Sequence, residues 1–394
     1  MTAQTAPDAA PGGVWAELVG QQRAVEVLRR AALGESHAMS HAWLVVGPPG
    51  SGRSNAARAF AAALQCDRPG GAEPGCGVCS ACRTSLSGAH PDVTLVRTEQ
   101  LSIGVEEVRE LVRRASMSPT VGRRQVIVVE DADRVTERGA DALLKSVEEP
   151  ARRTVWILCA PTADDVVPTI RSRCRLLGLA TPTVDAVARL LTVRDGVEPG
   201  LAYEVARAAQ GHVGRARVLA RDEGARERRR EVLQIPFQLS GLAACLGAAA
   251  RLIETCSAEA TAATEPVDAR ERAALEEALG FGTRGARPRQ ASSALKELDE
   301  QQRARAKRYQ RDAIDRALTE LTGFYRDLLS LQTGSGAALV NPDLQPRLAV
   351  LARRSSPEAT LRRIDALLAC RTALEGNVAP LLAVEATLIA LVEG

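Results

Sequence analysis

The sequence predicts an α/β domain built on a parallel sheet, followed by a succession of helices. Three observations carry that reading. A buried-type strand, a glycine-rich turn and a helix start follow one another through Ala42–Ser54. Further short apolar runs at Val93–Val96, Gln125–Val129 and Thr154–Ala160 alternate with amphipathic stretches, the pattern of strands covered on both faces. From Thr181 onward the periodic stretches are helical, in a chain rich in Ala and Leu with only 3% aromatic residues.

The 394 residues suffice for two or three domains. A balance of 51 basic and 48 acidic residues, net +3, excludes a chain dedicated by bulk charge to nucleic acid and leaves local basic patches open. Residues 1–13 are rich in Ala, Pro and Gly without a signal-peptide pattern, and a disordered tail is expected there. No apolar run reaches the ~18 residues of a membrane helix. Nine cysteines without such a signal point to reduced thiols and metal binding rather than a disulfide framework. The expected location is the cytoplasm, with no membrane partner.

In chain order, Val14–Leu33 carries apolar residues at helical spacing. Gly47-Pro-Pro-Gly-Ser-Gly-Arg-Ser54 then has the spacing of a phosphate-binding loop, Gly-x-x-x-x-Gly-Lys-Ser/Thr, with Arg53 at the lysine position. Gly47, Gly50 and Gly52 let the backbone curl so that N–H groups face phosphate oxygens, and Ser54 would direct its hydroxyl to magnesium. Arg53 keeps the charge in a bulkier planar group that does not interchange with an ammonium. A helix is expected over Asn55–Gln65. Cys66, Cys76, Cys79 and Cys82 follow, two Cys-x-x-Cys steps sharing Cys79. Four thiolates at this spacing close a tetrahedral shell with no open position, so structural Zn2+ is expected. A redox pair is the rival reading and leaves two cysteines unexplained. Cys159, Cys174, Cys245, Cys256 and Cys370 are scattered and read as small core residues.

Ile103–Ser116 reads as an amphipathic helix. Gln125–Asp133 reads as a strand ending in carboxylates, where Glu130 and Asp131 would present metal-directing groups at the sheet's carboxyl edge. They resemble the Walker B acids of P-loop enzymes with Asp-Glu replaced by Glu-Asp. One side chain is a methylene longer and the other shorter, and catalytic geometry tolerates a shift of about 1 Å poorly. The candidate nucleotide site, Gly47, Gly50, Gly52, Arg53, Ser54, Glu130 and Asp131, is therefore degenerate, and ATP with Mg2+ is expected to bind weakly or not at all. Asp141–Glu149 is a helix stopped by Pro150. Arg171, Arg173 and Arg175 crowd one turn, either as a solvated basic turn or as an arginine offered to phosphate across a subunit boundary.

The glycine loop, the four cysteines after its helix, Ala142-Leu-Leu-Lys-Ser-Val-Glu-Glu-Pro150 and Ser172-Arg173-Cys174, in that order, resemble the AAA+ clamp-loader subunits of bacterial DNA polymerase III, gamma/tau and delta-prime. The resemblance is dense over Val14–Leu219. It thins beyond, where Phe324–Leu329 and Asn377–Pro380 are similar to the family's C-terminal collar. It implies an AAA+ P-loop domain at 14–180 with the zinc module at 66–82, a small helical lid at 181–222, and an all-α collar at 223–394 with a flexible insertion at 255–291. It also implies that Arg173 is an arginine finger reaching a neighbouring subunit's ATP.

Three departures choose within the family: Arg53, the Glu130-Asp131 order, and Gly214 where the resemblance places a sensor arginine. Arg215 is one residue along, about 100° around a helix. These departures fit delta-prime, a stator that lends its finger during loading of the sliding clamp on primed DNA without needing its own hydrolysis. The chain itself is then not expected to be an active ATPase. The implied partners are gamma/tau and delta subunits and, through the complex, the beta clamp and primed DNA. Two rivals stay open, an active ATPase of the gamma/tau kind and an unrelated zinc-containing P-loop NTPase acting on nucleic acid. In the helical half, Arg226–Arg230 reads as a solvated face. Arg303, Arg305, Lys307, Arg308 and Arg311 form a basic face, either solvated or tracking phosphate.

Overall fold

Residues 12–35, 37–67, 74–98, 102–279, 289–376 and 378–393 are described by the computed structural model. The chain divides into two units, one through Arg221 and one from Asp222.

The first unit opens with a 3-10 turn, Gly13–Glu17, then α1 (Gln22–Leu33), β1 (Ala42–Val46), α2 (Arg53–Gln65), α3 (Ser80–Ser87), β2 (Val93–Val96), α4 (Val105–Ala115) and β3 (Gln125–Val129). It continues with α5 (Glu137–Glu148), β4 (Thr154–Ala160), α6 (Pro168–Arg171), β5 (Arg175–Gly178), α7 (Val184–Asp195), α8 (Pro199–Ala208) and α9 (Val213–Arg221). The strands form one parallel sheet in the order β2-β3-β4-β1-β5. Alternate residues supply opposite cores. Trp43, Val45, Val126, Val128, Val155 and Ile157 pack with Leu28 and Phe60 of α1 and α2. Ala42, Leu44, Ile127, Val129, Trp156 and Leu158 pack with Val108, Leu111, Leu143 and Val147 of α4 and α5. Coverage on both faces is why these strands read as unbroken apolar runs. Parallel pairing also gathers the loops after β1, β3 and β4 on one edge.

Of the three helices α7 to α9, α7 and α9 are tied to the start of the unit by charge. Arg217 bonds Asp195 at 2.7 Å and Glu17 at 3.0 Å, and Arg194 reaches Glu17 at 2.8 Å.

The second unit is helical: α10 (Glu223–Gln238), α11 (Leu242–Ala278), α12 (Arg289–Thr333), α13 (Gln345–Ala352), α14 (Pro357–Glu375) and α15 (Pro380–Glu393). Helix α12 packs on α10, α11, α13 and α14. The core gathers Leu233, Ile314, Leu321, Phe324, Leu367 and Val384. Asp327, buried in that core, accepts N–H groups of Val340 at 2.8 Å and Asn341 at 2.7 Å, fixing the turn before α13.

Several expectations are corrected. Val14–Leu33 is not one helix: Gly20, at φ +71°, lies between the 3-10 turn and α1. The fifth strand, β5, was not anticipated, because Arg175 and the exposed Leu176 dilute its apolar run. The insertion expected at 255–291 is, through Ala278, the continuation of α11, with Cys256, Ala260 and Thr264 buried at helical spacing. It is held largely by polar contacts. Gln310 Nε2 bonds Ser257 Oγ at 2.6 Å, and Arg305 reaches Asp268 at 2.6 Å and Glu271 at 2.8 Å. A hydrophobic period does not register such a seam. Residues 280–288 lie outside the described residues, as do 1–11 of the expected tail and Asn377. The basic face on α12 is also divided, because Arg305 and Arg308 are buried whereas Arg303 and Lys307 are exposed.

Candidate functional site

The loop between β1 and α2 lies on the carboxyl edge of the sheet. Gly50 sits at φ +84°, and a Cβ there would lie 2.3 Å from Cγ of His212, so the residue before α9 rests directly on the loop. Only glycine permits both the turn and that approach. Gln21 clamps the same loop, donating to the Ser51 carbonyl at 3.1 Å and to the Ala180 carbonyl at 2.6 Å and accepting the Ala180 N–H at 3.1 Å. Within the loop the Ser51 N–H donates to the Pro48 carbonyl at 3.0 Å. Ser54 is half-buried in the first turn of α2.

Arg53 folds back onto its own loop, its Nη1 donating to the Gly47 carbonyl. Burial pushes the Arg53 guanidinium below its usual range, opposed by the charges of Asp133, Asp131 and Asp165. Glu130, directly after β3, is 7% exposed, and its Oε1 takes Nε of Arg58, from α2, at 2.6 Å. Asp131 follows at the start of the next turn. Asp133 is raised above the ordinary carboxylate range, chiefly by burial and further by Asp131, against Arg134 and Arg53. A magnesium-bound nucleotide needs carboxylates turned to the metal and a loop cation free for its phosphates. Here Glu130 is committed to Arg58, Arg53 to Gly47, and His212 stands against Gly50. In this arrangement the residues do not fit a magnesium-bound nucleotide.

The cysteine cluster answers differently. Sγ atoms of Cys66, Cys76, Cys79 and Cys82 all lie within 4.8 Å of one another. A tetrahedral shell with Zn–S near 2.3 Å sets its sulfurs about 3.8 Å apart, so the donor set fits a metal such as zinc. Backbone N–H groups of Cys79 and Cys82 donate to Sγ of Cys76 and of Cys79, each at 3.4 Å. For Cys76, burial would raise the thiol, but backbone donors from Cys79 and Val78 bring it below its usual value; for Cys82 burial prevails and raises it. Gly75, at φ +89°, carries the turn, and a Cβ there would meet Val14 at 2.5 Å. The Val14 N–H donates to the Gly75 carbonyl at 2.9 Å and Trp15 Nε1 to the Pro74 carbonyl at 3.0 Å, docking the opening turn on the cluster.

The three crowded arginines separate. Arg171 pairs with Asp164, and Arg175 turns over Trp43 at 5.0 Å from the ring centroid. Arg173 is exposed. Its Nε reaches Glu148 at 2.5 Å, and its Nη1 donates to the Thr169 carbonyl at 2.8 Å and Ser172 Oγ at 3.1 Å. Burial pushes the Cys174 thiol up to about 12, so it is a packed thiol beside that arginine. Gly214 is exposed on α9. Arg215 is half-buried, its N–H donating to Nδ1 of His212 at 3.2 Å.

Two family matches bear on this arrangement. The family described as DNA polymerase III, delta subunit matches residues 20–183, and that described as DNA polymerase III, delta subunit, C terminal matches 272–393. Both matched families are described as DNA polymerase III subunits, and the chain is similar to the clamp-loader subunits of that polymerase. It is 34% identical over 204 residues to DNA polymerase III subunit delta' of Pseudomonas aeruginosa, covering 51% of this chain and 62% of that one. It is 38% identical over 160 residues to subunit gamma/tau of Mycobacterium tuberculosis, covering 40% and 27%. It is 35% identical over 144 residues to subunit delta' of Escherichia coli, covering 36% and 43%. Each match spans less than two thirds of the relative's own length. That similarity favours the clamp-loader readings over the reading as an unrelated P-loop NTPase. Among the described residues no helix is long and apolar enough to cross a membrane.

Four residues were not singled out in advance: Gln21, Arg58 and His212, which shape the carboxyl edge, and Glu148, which pairs with Arg173 at the other end of the sheet. Arg58 left a trace, because a charge amid Ala56, Ala57, Ala59 and Phe60, all buried, requires a partner. The other three act through tertiary contacts that leave no local signal.

Proposed function

We propose that this chain is a delta-prime-type subunit of the clamp loader, a stator that offers Arg173 to ATP bound on a neighbouring subunit while the sliding clamp is placed on primed DNA. The observation that supports the reading is a difference in burial: Glu130 is 6% exposed in its pair with Arg58 and Arg53 is bonded to its own loop, whereas Arg173 is 40% exposed and held only by surface contacts to Glu148, Thr169 and Ser172, which a phosphate can displace. An arginine brought to a transferring phosphoryl group stabilises developing charge. In this reading residues 14–180 are the AAA+ module, 181–222 its lid and 223–394 the collar, in a cytoplasmic complex with gamma/tau and delta. The cysteine cluster holds structural zinc that stiffens the module at 66–82, since four thiolates leave no position for substrate.

The test is DNA-stimulated ATP hydrolysis by the chain alone and by a complex with gamma/tau and delta. No turnover alone, and a drop of tenfold or more in the complex on Arg173→Ala with assembly intact, is the expected outcome. Unchanged turnover in that mutant complex would sink the finger role. A second reading, a gamma/tau-type ATPase, draws on the 38% identity to the mycobacterial gamma/tau subunit, and turnover by the chain alone would favour it.

A further inference from the structure

The acid at the end of β3 is held by a cation of the chain itself. Glu130 is fixed at both ends: its N–H donates to the Val96 carbonyl at 2.9 Å, and its carboxylate, on a side chain 6% exposed, bonds Arg58 Nε at 2.6 Å. Arg58 rises from α2, whose neighbouring residues are buried against the sheet, so helix and strand end are joined by charge as well as by packing. A carboxylate this enclosed requires an opposite charge, supplied either by a bound metal or by a side chain. Arg53, five residues earlier on the same helix, repeats the theme, its guanidinium bonded to the Gly47 carbonyl and drawn by Asp131, Asp133 and Asp165. The charged groups around the edge are thus Glu130, Asp131, Asp133 and Asp165 against Arg53, Arg58 and Arg134.

We propose that Arg58 is an internal counter-cation that occupies, at Glu130, the role a divalent metal would otherwise fill, and that the pair locks α2 to the end of β3. The lock makes the fold of this edge independent of nucleotide and metal. It deepens the stator reading and rests on it for its meaning. The coupling between Arg58 and Glu130 rests on the geometry alone. The pair differs from a surface ion pair because Glu130 is buried: removing Arg58 leaves an uncompensated charge, whereas removing both leaves none.

The experiment is a double-mutant cycle on the full chain, Arg58→Met, Glu130→Gln and both together, read as thermal midpoints with and without Mn2+ alone. Arg58→Met is expected to lower the midpoint by about 3–6 °C, and the double variant to recover at least half of that loss. Mn2+ is expected to leave the wild-type midpoint unchanged. Additive losses in the cycle, or a Mn2+-dependent rise in the wild type that Glu130→Gln abolishes, overturn the proposal. ATP hydrolysis by the wild-type chain alone separates the two claims: it sinks the stator reading, while a coupled cycle still upholds the lock.

Discussion

The cysteine cluster and the glycine loop are both read from short spacings, and the fold treats them in opposite ways. At the cluster, four thiols from one turn and the ends of two helices converge within 4.8 Å. At the loop, the groups that would meet a nucleotide meet one another instead: Arg53 the Gly47 carbonyl, Arg58 the Glu130 carboxylate, His212 the face of Gly50. A spacing shows which atoms can be brought together. Whether they are left available depends on residues elsewhere in the chain, here Arg58 on the loop's own helix and His212 far along it.

The sharpest way to break that contrast is at the cluster. Cys79→Ser, or chelation of the wild type, is expected to cost about 3 kcal/mol or more, because binding energy at a structural metal site is folding energy. Elemental analysis of the purified chain and its thermal unfolding check this together, with Cys159→Ser as a core thiol outside the cluster. Full metal content in Cys79→Ser would count against four-cysteine ligation and erase the difference between the two sites.

What was legible in advance follows the same division. The strands β1 to β4 and the glycine turn were readable because burial on both faces writes a continuous apolar run and the turn demands glycine. The cysteines were readable because a metal shell fixes its own spacing. The far half of α11 was not: its buried face is Cys256, Ala260 and Thr264, and its partners are Arg305 and Gln310 on the next helix, α12. Glu130 was picked out as the metal-directing acid of a degenerate site, but its partner was not foreseen, because Arg58 lies 72 residues away in sequence. Small side chains and ion pairs carry little periodicity, so contacts of this kind become visible only in the folded chain.

A second prediction sharpens the contrast with an anion site the chain fills itself. The Asp92 carboxylate, 1% exposed, accepts backbone N–H groups of Thr120 at 2.6 Å, Val121 at 2.8 Å and Gly122 at 2.5 Å. Burial alone would raise its pKa, but these three donors bring it below the ordinary aspartate value. Asp92→Asn turns an amide toward those donors and is expected to lose about 2 kcal/mol at neutral pH. A lowered folded-state pKa means that the wild type's advantage is fully present above the unfolded value, near 3.9, and fades as pH falls through the lower folded value. Denaturant unfolding of both proteins from pH 7 down to pH 3 measures the gap. A gap of constant size across that range would show that the carboxylate's charge is not what the turn requires.

The smallest expected effect lies at Arg53. In Arg53→Lys a flexible ammonium replaces the planar guanidinium, so the bond to the Gly47 carbonyl is weakened while the charge among Asp131, Asp133 and Asp165 is kept. Stability should change by no more than about 1 kcal/mol, since the exchange conserves charge and a half-exposed site tolerates the smaller group. Nucleotide affinity, followed with a fluorescent ADP analogue, should rise by tenfold at most, and ATP turnover should stay absent because Glu130 is still held by Arg58. If Arg53→Lys alone produced turnover, the arginine in the loop would be the whole obstacle and the Arg58–Glu130 pair a bystander. If turnover instead required Arg53→Lys together with Arg58→Met, both cations of α2 would be needed to keep the edge closed, one at the phosphate end and one at the metal end.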